Sequence, residues 1–594
     1  LDSRLCFLCH CFAMEVLSLQ LGHFANHVGA HFWNFQDETA ALQGDAPDFR
    51  GGPRIDFERL YSQTERRGVV RWTPRLVLVD KKGALGAARP EIGDEPSEEQ
   101  GLAESGLWDY GSIRCPADVL SLHPFQQDLQ REECETHKAA SSQQAFAMDA
   151  DIEEVAYDYD GMEDDRQGDD TERVSPMRTA AEYDFRSTAR TFTDYLKIPL
   201  PSSCVHELRA WHHDVSPFAT YWDGLEVRGK EDEEDILETI RKQFEICDQL
   251  DAVHTVFNMH DGFGGLAGIV LNWVHEESPK CGKLVAAVQP EVEEDVDGSA
   301  QSMENDLLGG AASVGVGDPE ACSWVSGAFS FAGIMNASVD AFIPLAVPLW
   351  SVHTPAALTN LHRTSFYESS ALIASALESA TLPYRLAGNL RPSLLLAELA
   401  PAHRPVCGLL QALPLPPPPP AAPVFDPADV SASKQMLSSL GPSFYDLSAM
   451  SPVLTNPFTS LVLRGSEPRH LVELCQELHP RARRFSYVHS APLPLPLPFP
   501  QVFSVEVSRH GLLQQGPGAG RPPGSDVEEC PVATQLHAAA QAGRCTALQR
   551  MASTVRSRRR SAWASALQAR HDVDPDEFRD VLEILTEHLE CGAA

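Results

Sequence analysis

Two segments in which an apolar strand runs into a glycine-rich turn and then a helix constrain the fold most strongly. Residues 14–35 (MEVLSLQLGHFANHVGAHFWNF) start with the apolar residues of a short buried strand, turn at Gly22 and continue as a helix from Asn26. Residues 252–277 repeat the arrangement, with HDGFGGLAG between a strand and a helix. Such turns aim backbone N–H groups at a phosphate. They also occur where only small residues let a helix pack on its sheet, so the glycines alone favour neither interpretation.

A third strand is predicted in TPRLVLVDKKGAL, residues 73–85, where it runs from Leu76 to Val79 and ends at Asp80. Open α/β sheets bind ligands at the carboxyl ends of their strands. Asp80 is therefore a candidate ligand-binding residue of an α/β domain.

The charge and apolar content exclude several classes of protein. The chain has 47 Lys and Arg against 84 Asp and Glu, a net charge of −37, which argues against a general nucleic-acid binder because such proteins need a basic surface. No apolar run reaches the ~18 residues of a membrane-spanning helix. The fourteen cysteines are scattered and indicate reduced, cytosolic thiols. Cys6, Cys9 and Cys11 have metal-ligand spacing, but they lie before Met14 in what we interpret as a leader.

Changes in composition divide the chain. The predicted units are a leader of doubtful status (1–13), the first part of the α/β domain (14–115), an acidic disordered insertion (116–180), the rest of that domain (181–400), a Pro-rich linker (401–423), a second α/β domain (424–550) and a C-terminal helical segment (551–594).

Individual segments allow more specific predictions. Three helices are expected. One covers residues 231–250, one starts at Phe366 and is ended by Pro383, and one starts after Pro575. The Pro-rich run at 492–500 is interpreted as a stiff linker or loop, with docking to an SH3-type domain as the alternative. The arginines between Arg556 and Arg560 form either a solvated helix face or a contact for anionic lipid or an acidic partner.

Four segments, taken together, resemble the Misato family of tubulin-related proteins: LQLGHFANHVGAHFWN, TPRLVLVDKKGAL, MHDGFGGLAG and SSALIASALESATLPYRL, followed by Trp563-Ala564-Ser565. The first three also resemble nucleotide-contacting segments of tubulin. The resemblance implies a tubulin-like fold, with a doubly wound nucleotide-binding-type domain, a second α/β domain and C-terminal helices.

The resemblance also implies a function. It suggests a non-enzymatic regulator of mitochondrial distribution and morphology, located in the cytoplasm and peripherally on the mitochondrial outer membrane. The alternatives are a GTPase of the tubulin class and a cytoskeletal factor whose partners are tubulin or the cytosolic folding machinery.

The residues that the resemblance places at the nucleotide predict a degraded site. Those that fit a nucleotide cradle are Gly22, Asn26, Asp80, Gly262, Gly264 and Gly268. Those that depart from tubulin are Lys82 in place of an acid, Gly265 in place of a phosphate-binding Thr, Phe263 in place of a glycine, and Ser369 in place of the guanine-reading Asn. We therefore expect no catalytic residue, no metal and no cofactor, with weak GTP or GDP binding as the alternative.

Three histidines, His23, His27 and His31, recur at four-residue spacing in the first segment. On one helical face they could form a metal pair. Because His27 and His31 fall within the tubulin-like helix, and His23 in the loop before it, packing or capping is the preferred interpretation.

Overall fold

A computed structural model describes most of the chain. It covers residues 14–44, 54–66, 69–87, 121–135, 180–213, 215–216, 218–291, 319–350, 357–387, 390–400, 404–414, 445–448, 458–465, 484–513, 521–522, 525–538 and 545–590. The proposed leader and the acidic stretch at 149–172 lie outside these residues.

The strands and helices follow in chain order. The strands are β1 (Glu15–Leu21), β2 (Tyr61–Arg66), β3 (Val69–Pro74), β4 (Leu76–Lys82), β5 (Val205–His212), β6 (Leu250–Asn258), β7 (Gly282–Gln289), β8 (Ala341–Ala346), β9 (Cys407–Ala412), β10 (Tyr445–Asp446), β11 (Phe458–Arg464), β12 (Arg484–Ser490), β13 (Leu493–Pro494), β14 (Glu529–Cys530) and β15 (Val532–Ala538). The helices are α1 (His23–Gly44), α2 (residues 124–135), α3 (Ala180–Tyr183), α4 (Phe185–Thr188), α5 (Tyr221–Leu225), α6 (Glu231–Ile246), α7 (Gly262–Glu277), α8 (Pro319–Met335), α9 (Phe366–Arg385), α10 (Pro392–Leu399), α11 (Thr546–Arg558), α12 (Ala562–His571) and α13 (Pro575–Glu590).

The first domain is built on a parallel sheet of six strands in the order β5-β4-β1-β6-β7-β8. Counted along the chain within this sheet, the order is 3-2-1-4-5-6, which is that of a doubly wound α/β fold. Helices α1, α9 and α10 cover one face and helices α6, α7 and α8 the other. The α/β doubly wound prediction is confirmed.

Strand β1 is buried along its whole length because it lies at the centre of this sheet. Leu19 pairs with Val77 of β4 on one side and with Thr255 of β6 on the other. A strand covered on both faces reads as a continuous apolar run, which is why it could be predicted from the sequence. The C-terminal helices α11 to α13 pack on the α8 side through buried residues such as Met551 and Phe578.

The second sheet has the order β10-β9-β15-β11-β12 and is mixed, since only β11 and β12 run parallel. The predicted linker at 401–423 is wrong in part, because β9 (Cys407–Ala412) lies inside it and is fully buried. The run at 492–500 is a loop apart from the two-residue strand β13, in agreement with its interpretation as a linker or loop. Its prolines limit strand pairing to β13, but Leu493 and Phe499, between them, are buried in the core.

The predicted acidic insertion is narrower than 116–180, because α2 lies within it. Phe125 is fully buried, and the Gln126 side chain donates to the Leu196 carbonyl at 2.8 Å. The Tyr183 hydroxyl donates to Asp128 at 2.8 Å. The acidic composition of the surrounding window concealed this short apolar stripe.

The helix from Phe366 does not end at Pro383, as predicted, but continues to Arg385. A proline this close to a helix end removes one backbone hydrogen bond. At the end of this helix the Arg385 guanidinium donates to the Glu378 carbonyl at 2.6 Å. The predicted C-terminal helix after Pro575 is confirmed as α13.

A buried ionic cluster connects the two sheets through α9. The Glu378 carboxylate accepts from Arg385 at 2.8 Å and from Arg464 of β11, and all three side chains are at most 2% exposed. Arg385 also donates to the Gln36 side chain of α1 at 2.6 Å. Burial raises the pKa of Glu378, but the two guanidinium charges outweigh burial and hold it below its ordinary value.

The substitution Glu378→Gln tests this cluster. It leaves two buried guanidinium groups without an anion, so we expect the free energy of unfolding to fall by about 3–5 kcal/mol, measured by urea denaturation. Adding Arg464→Met should recover part of the loss because it removes one of the unpaired charges. The exposed Glu245→Gln is the matched control and should change stability far less. A Glu378→Gln protein as stable as the parent would contradict the assignment.

Candidate functional site

The candidate site is the crevice at the carboxyl ends of β1 and β6, where the strand order of the sheet reverses and α/β proteins bind ligands. Gly22 directly follows β1 and has a φ of +104°, which favours glycine. A Cβ added there would lie 2.7 Å from the Phe263 ring and 2.8 Å from the Asn258 amide. The chain's own side chains thus lie directly against the first glycine turn.

Gly22, Asn26 and Asp80 come together, as the resemblance implied. The Gly22 N–H donates to the Val79 carbonyl at 3.0 Å, and the Asn26 amide donates to Asp80 Oδ2 at 2.7 Å. Asp80 is fully buried. His23 Nδ1 lies 3.4 Å from the same carboxylate oxygen.

The second oxygen of Asp80 is also occupied within the protein, since it accepts the Lys81 backbone N–H at 2.8 Å. Burial alone would raise the pKa of Asp80, but the hydrogen bond and charge of His23, together with Lys81, hold that pKa below its ordinary value. The carboxylate therefore remains charged, with neighbours from its own chain.

Lys82 and Ser369 occupy different surroundings. Lys82 ends β4 with an exposed side chain, and its carbonyl accepts the His213 N–H at 2.9 Å. Ser369 is fully buried and donates to the Ser365 carbonyl of its own helix at 2.7 Å. Its hydroxyl is therefore engaged in its own helix.

One N-terminal N–H of each flanking helix donates to a side chain that was not predicted from the sequence. Asn258 Oδ1 accepts the Ala25 N–H of α1 at 3.0 Å, and Asp261 Oδ1 accepts the Phe263 N–H of α7 at 2.9 Å. Asn258 also donates to Asp261 at 2.8 Å. The available signal was their position, directly after a buried strand and before the glycines.

The carboxyl group of Asp261 also contributes to the charge of the crevice. Burial raises the pKa of Asp261, although its neighbour His260 and the amide of Asn258 oppose that rise. Its carboxylate thus lies where a phosphate-binding turn would present only donors.

The glycines of the second turn serve packing. A Cβ on Gly262 would lie 2.6 Å from the Phe218 ring, one on Gly264 1.9 Å from Ser330 Oγ, and one on Gly265 2.2 Å from the Tyr221 carbonyl. At Gly268 the nearest atom, in Gly333, would lie at an ordinary 3.9 Å. Gly262, Gly264 and Gly265 therefore let α7 approach its neighbours closely, which is the second of the two interpretations of this turn.

All three histidines lie in α1, so the prediction that His23 lies in the loop before the helix is wrong, and two of the three, His23 and His27, are linked to each other. The Nε2 atoms of His27 and His23 lie 3.3 Å apart, and His27 Nδ1 lies 2.6 Å from the Tyr195 hydroxyl. His31 Nε2 donates to the Tyr367 carbonyl at 2.9 Å. Among the described residues, His23, His27 and His31 do not form a three-residue group that could hold a metal ion.

Aromatic rings pack around these histidines on the side of the crevice formed by α1. The His23 ring lies 4.8 Å from that of His213 and 6.2 Å from that of Phe366, and Phe24 lies 5.1 Å from Phe366. The His31 ring stacks on Tyr195 at 4.7 Å. The N-terminus of α9 is thus packed against α1 through rings.

Comparison with known proteins identifies the relatives. Residues 14–131 match the Misato segment II tubulin-like domain. The chain is 24% identical over 605 residues to Protein misato homolog 1 of Bos taurus, covering 98% of both chains. It is 26% identical over 386 residues to Protein misato homolog 1 of Homo sapiens, covering 64% of this chain and 60% of the relative.

A fly relative matches over a shorter region. The chain is 27% identical over 274 residues to Protein misato of Drosophila melanogaster, covering 45% of this chain and 43% of the relative. These matches confirm the resemblance and the tubulin-like nature of the first domain. Among the described helices, none has the length and apolar character needed to span a bilayer.

The buried histidines predict acid sensitivity. Burial lowers the pKa of His31 to about 3, against the opposing hydrogen bond to Tyr367, and burial together with Arg385 lowers that of His254 to about 3. Both stay neutral in the folded state while the unfolded chain takes up protons below an ordinary pKa of about 6.5. Their contribution is therefore fully present above that pH and is lost as the pH falls.

Because each of these two histidines is protonated only in the unfolded chain, each should lower the free energy of unfolding by about 1.4 kcal/mol when the pH falls from 7.5 to 5.5. We expect His31→Asn to reduce the acid-induced loss by about that amount, measured by urea denaturation at both pH values. His510→Asn, which removes an exposed imidazole, is the control for losing one histidine. An unchanged pH dependence in His31→Asn would show that His31 is not held neutral.

Proposed function

We propose that this chain, a member of the Misato family, is a non-enzymatic regulator of mitochondrial distribution and morphology that uses a tubulin-like domain as a scaffold. The family resemblance supports the mitochondrial role. The geometry of the crevice supports the absence of a nucleotide-driven cycle.

The observation that carries the proposal is that protein groups replace a phosphate at both helix N-termini. The Ala25 N–H donates to Asn258 and the Phe263 N–H to Asp261. A phosphate would have to displace both acceptors and lie beside two carboxylates, those of Asp80 and Asp261. The charge of Lys81 offsets part of this negative charge, but two carboxylates beside one anion still disfavour its binding.

Hydrolysis demands still more of the site. Phosphoryl transfer needs a metal near the phosphates and an oriented water. Lys82, which stands in place of an acid, cannot hold Mg²⁺, since an ammonium group has no lone pair. We therefore assign no catalytic residue and no cofactor to the crevice.

A second candidate function is weak GTP or GDP binding. It is favoured by one observation, that Gly22, Asn26 and Asp80 remain in contact at the end of β1. Lys82 could then neutralise phosphate charge directly. Ser369 cannot reproduce the two-point contact of an amide with guanine, so such binding would discriminate poorly between bases.

For location we propose the cytoplasm and the surface of the mitochondrial outer membrane, without a nucleic-acid partner. The side chains of Arg556, Arg559 and Arg560 are exposed, and in a chain of net charge −37 they are a local basic surface that anionic lipid can attract. The alternative partners are tubulin and the cytosolic folding machinery.

Nucleotide content tests the proposal directly. We expect that purified full-length chain, once denatured, releases no stoichiometric guanine nucleotide, and that it does not hydrolyse GTP above the buffer rate. Tubulin handled identically is the positive control. Stoichiometric GDP, together with GTP turnover that Lys82→Glu reduces, would establish the GTPase alternative instead.

Membrane association is tested by fractionation. We expect part of the protein to sediment with mitochondria and to leave them in an alkaline wash, because electrostatic attachment of a folded protein is reversible. Replacing Arg556, Arg559 and Arg560 by Gln should reduce the sedimented fraction, while the matched triple change of Arg241, Arg509 and Arg579 should not. Retention after the alkaline wash would contradict peripheral attachment.

A further inference from the structure

Two distant parts of the chain meet at a small polar cluster away from the crevice. Asp223 lies in the short helix α5, Glu226 follows that helix, and His571 is the last residue of α12. Their ligand atoms all lie within 4.8 Å of one another. The cluster joins the C-terminal helices to the domain that carries the parallel sheet.

One atom of this cluster lacks a partner. The His571 side chain is 3% exposed, and its Nε2 atom is buried and makes no hydrogen bond. This atom lies 4.0 Å from Asp223 Oδ1, while Nδ1 of the same ring lies 3.5 Å from Glu226 Oε1. With a proton on Nδ1, the Nε2 lone pair faces a carboxylate oxygen, and either a proton or a metal ion between these two acceptors would remove their repulsion.

The Asp223 carboxylate is held in place for this contact. Its Oδ2 atom accepts the backbone N–H and the hydroxyl of Thr220, each at 2.8 Å. Oδ1 therefore remains directed to the cluster and is not needed for capping α5. Glu226 is half exposed, and its Oε1 atom lies beside Nδ1, so this side chain must rotate to reach a metal ion bound at Nε2.

We propose that Asp223, Glu226 and His571 form a zinc site that fastens the C-terminal helices to α5. An imidazole nitrogen with carboxylate oxygens is a common ligand set for Zn²⁺, and water completes the coordination. Mg²⁺ and Ca²⁺ prefer all-oxygen sites. With zinc–ligand bonds of about 2 Å, neighbouring ligand atoms lie about 3.3 Å apart, so Nε2 and Asp223 Oδ1 must approach by about 0.7 Å.

Arg570 supplies the competing explanation. Its guanidinium lies 3.6 Å from Asp223 Oδ1, and its side chain is 41% exposed. Arg570 and a protonated His571 could form an ionic contact with Asp223 and Glu226 without any metal. The two explanations predict opposite effects of Arg570 on the cluster, since its guanidinium would repel a zinc ion but would stabilise an ionic contact.

The position of the cluster gives the metal a structural role. Helix α5 packs closely against the start of α7, where a Cβ on Gly224 would lie 1.8 Å from the Gly262 carbonyl. Binding zinc would hold α12 on α5 and so support this packing. A ligand that binds only the folded state raises its stability.

The test is zinc binding by the full chain, measured by calorimetric titration with ZnCl₂ and by the absorption of bound Co²⁺. We expect one site that His571→Ala abolishes and that Glu226→Gln weakens by about tenfold or more. Arg570→Gln should bind zinc about threefold or more tightly, because it removes a neighbouring positive charge. Arg579→Gln in α13 is the matched control and should bind as the parent does.

Three outcomes would overturn the proposal. The first is no zinc binding, or binding that His571→Ala and Glu226→Gln both leave unchanged, which would place any zinc elsewhere, including at Cys6, Cys9 and Cys11. The second is binding without the Co²⁺ spectrum of a nitrogen and oxygen site. The third is an Arg570→Gln protein that melts at a lower temperature than the parent and gains no zinc affinity, which would establish the ionic contact.

Discussion

The Glu378 carboxylate, buried between Arg385 and Arg464, is the interaction on which the arrangement of the two sheets depends. Helix α9 lies between the domains, and this one side chain accepts from its own helix and from β11 of the second sheet. Two guanidinium groups and one carboxylate leave a buried net positive charge, so Gln36 of α1 and the Glu378 carbonyl supply further acceptors. A buried ionic cluster adds little stability when compared with a well-packed apolar core, but it fixes one geometry because every alternative leaves a charge unpaired. Here that geometry is the placement of α9 between α1 and β11.

In the crevice, too, buried polar groups are paired within the chain, but here carboxylate and amide oxygens accept from helix N-termini. In an α/β domain, helix N-termini at the carboxyl edge of the sheet attract an anion. In this chain Asn258 and Asp261 provide that acceptor, so α1 and α7 are capped without a ligand. Asp80 in turn is satisfied by Asn26 and by the Lys81 N–H. These groups pair with one another, whereas Asn26 Oδ1 in the same crevice is buried without a hydrogen-bond partner.

Much of the first domain could be predicted from sequence, and the reason is local. Strand β1, the turn at Gly22 and strand β4, which contains Asp80, are each specified by residues within a few positions of one another. What could not be predicted depends on residues far apart in the chain: Asn258 reaches Ala25, and Ser330 approaches Gly264. Composition concealed burial where apolar residues lay within a biased window, as at Phe125 in the acidic stretch and at Leu493 between prolines. The close packing of Gly262, Gly264 and Gly265 was one of two interpretations that the sequence left open, because a glycine that admits a ligand and one that admits a neighbouring helix look the same in sequence.

Packing at these glycines also explains why the C-terminal helices belong to the first domain. Helix α5 is pressed on one side against the glycines of α7, and on its other side it meets α12 and α13, where Trp222 lies 6.3 Å from Phe578 and stacks on His571 at 6.1 Å. The glycine turn and the C-terminal segment are therefore two sides of one packed layer. A substitution that enlarges Gly265 would push on the Tyr221 carbonyl, and hence on the helix that carries Asp223. In this chain the glycine turn is thus part of the support for the C-terminal helices.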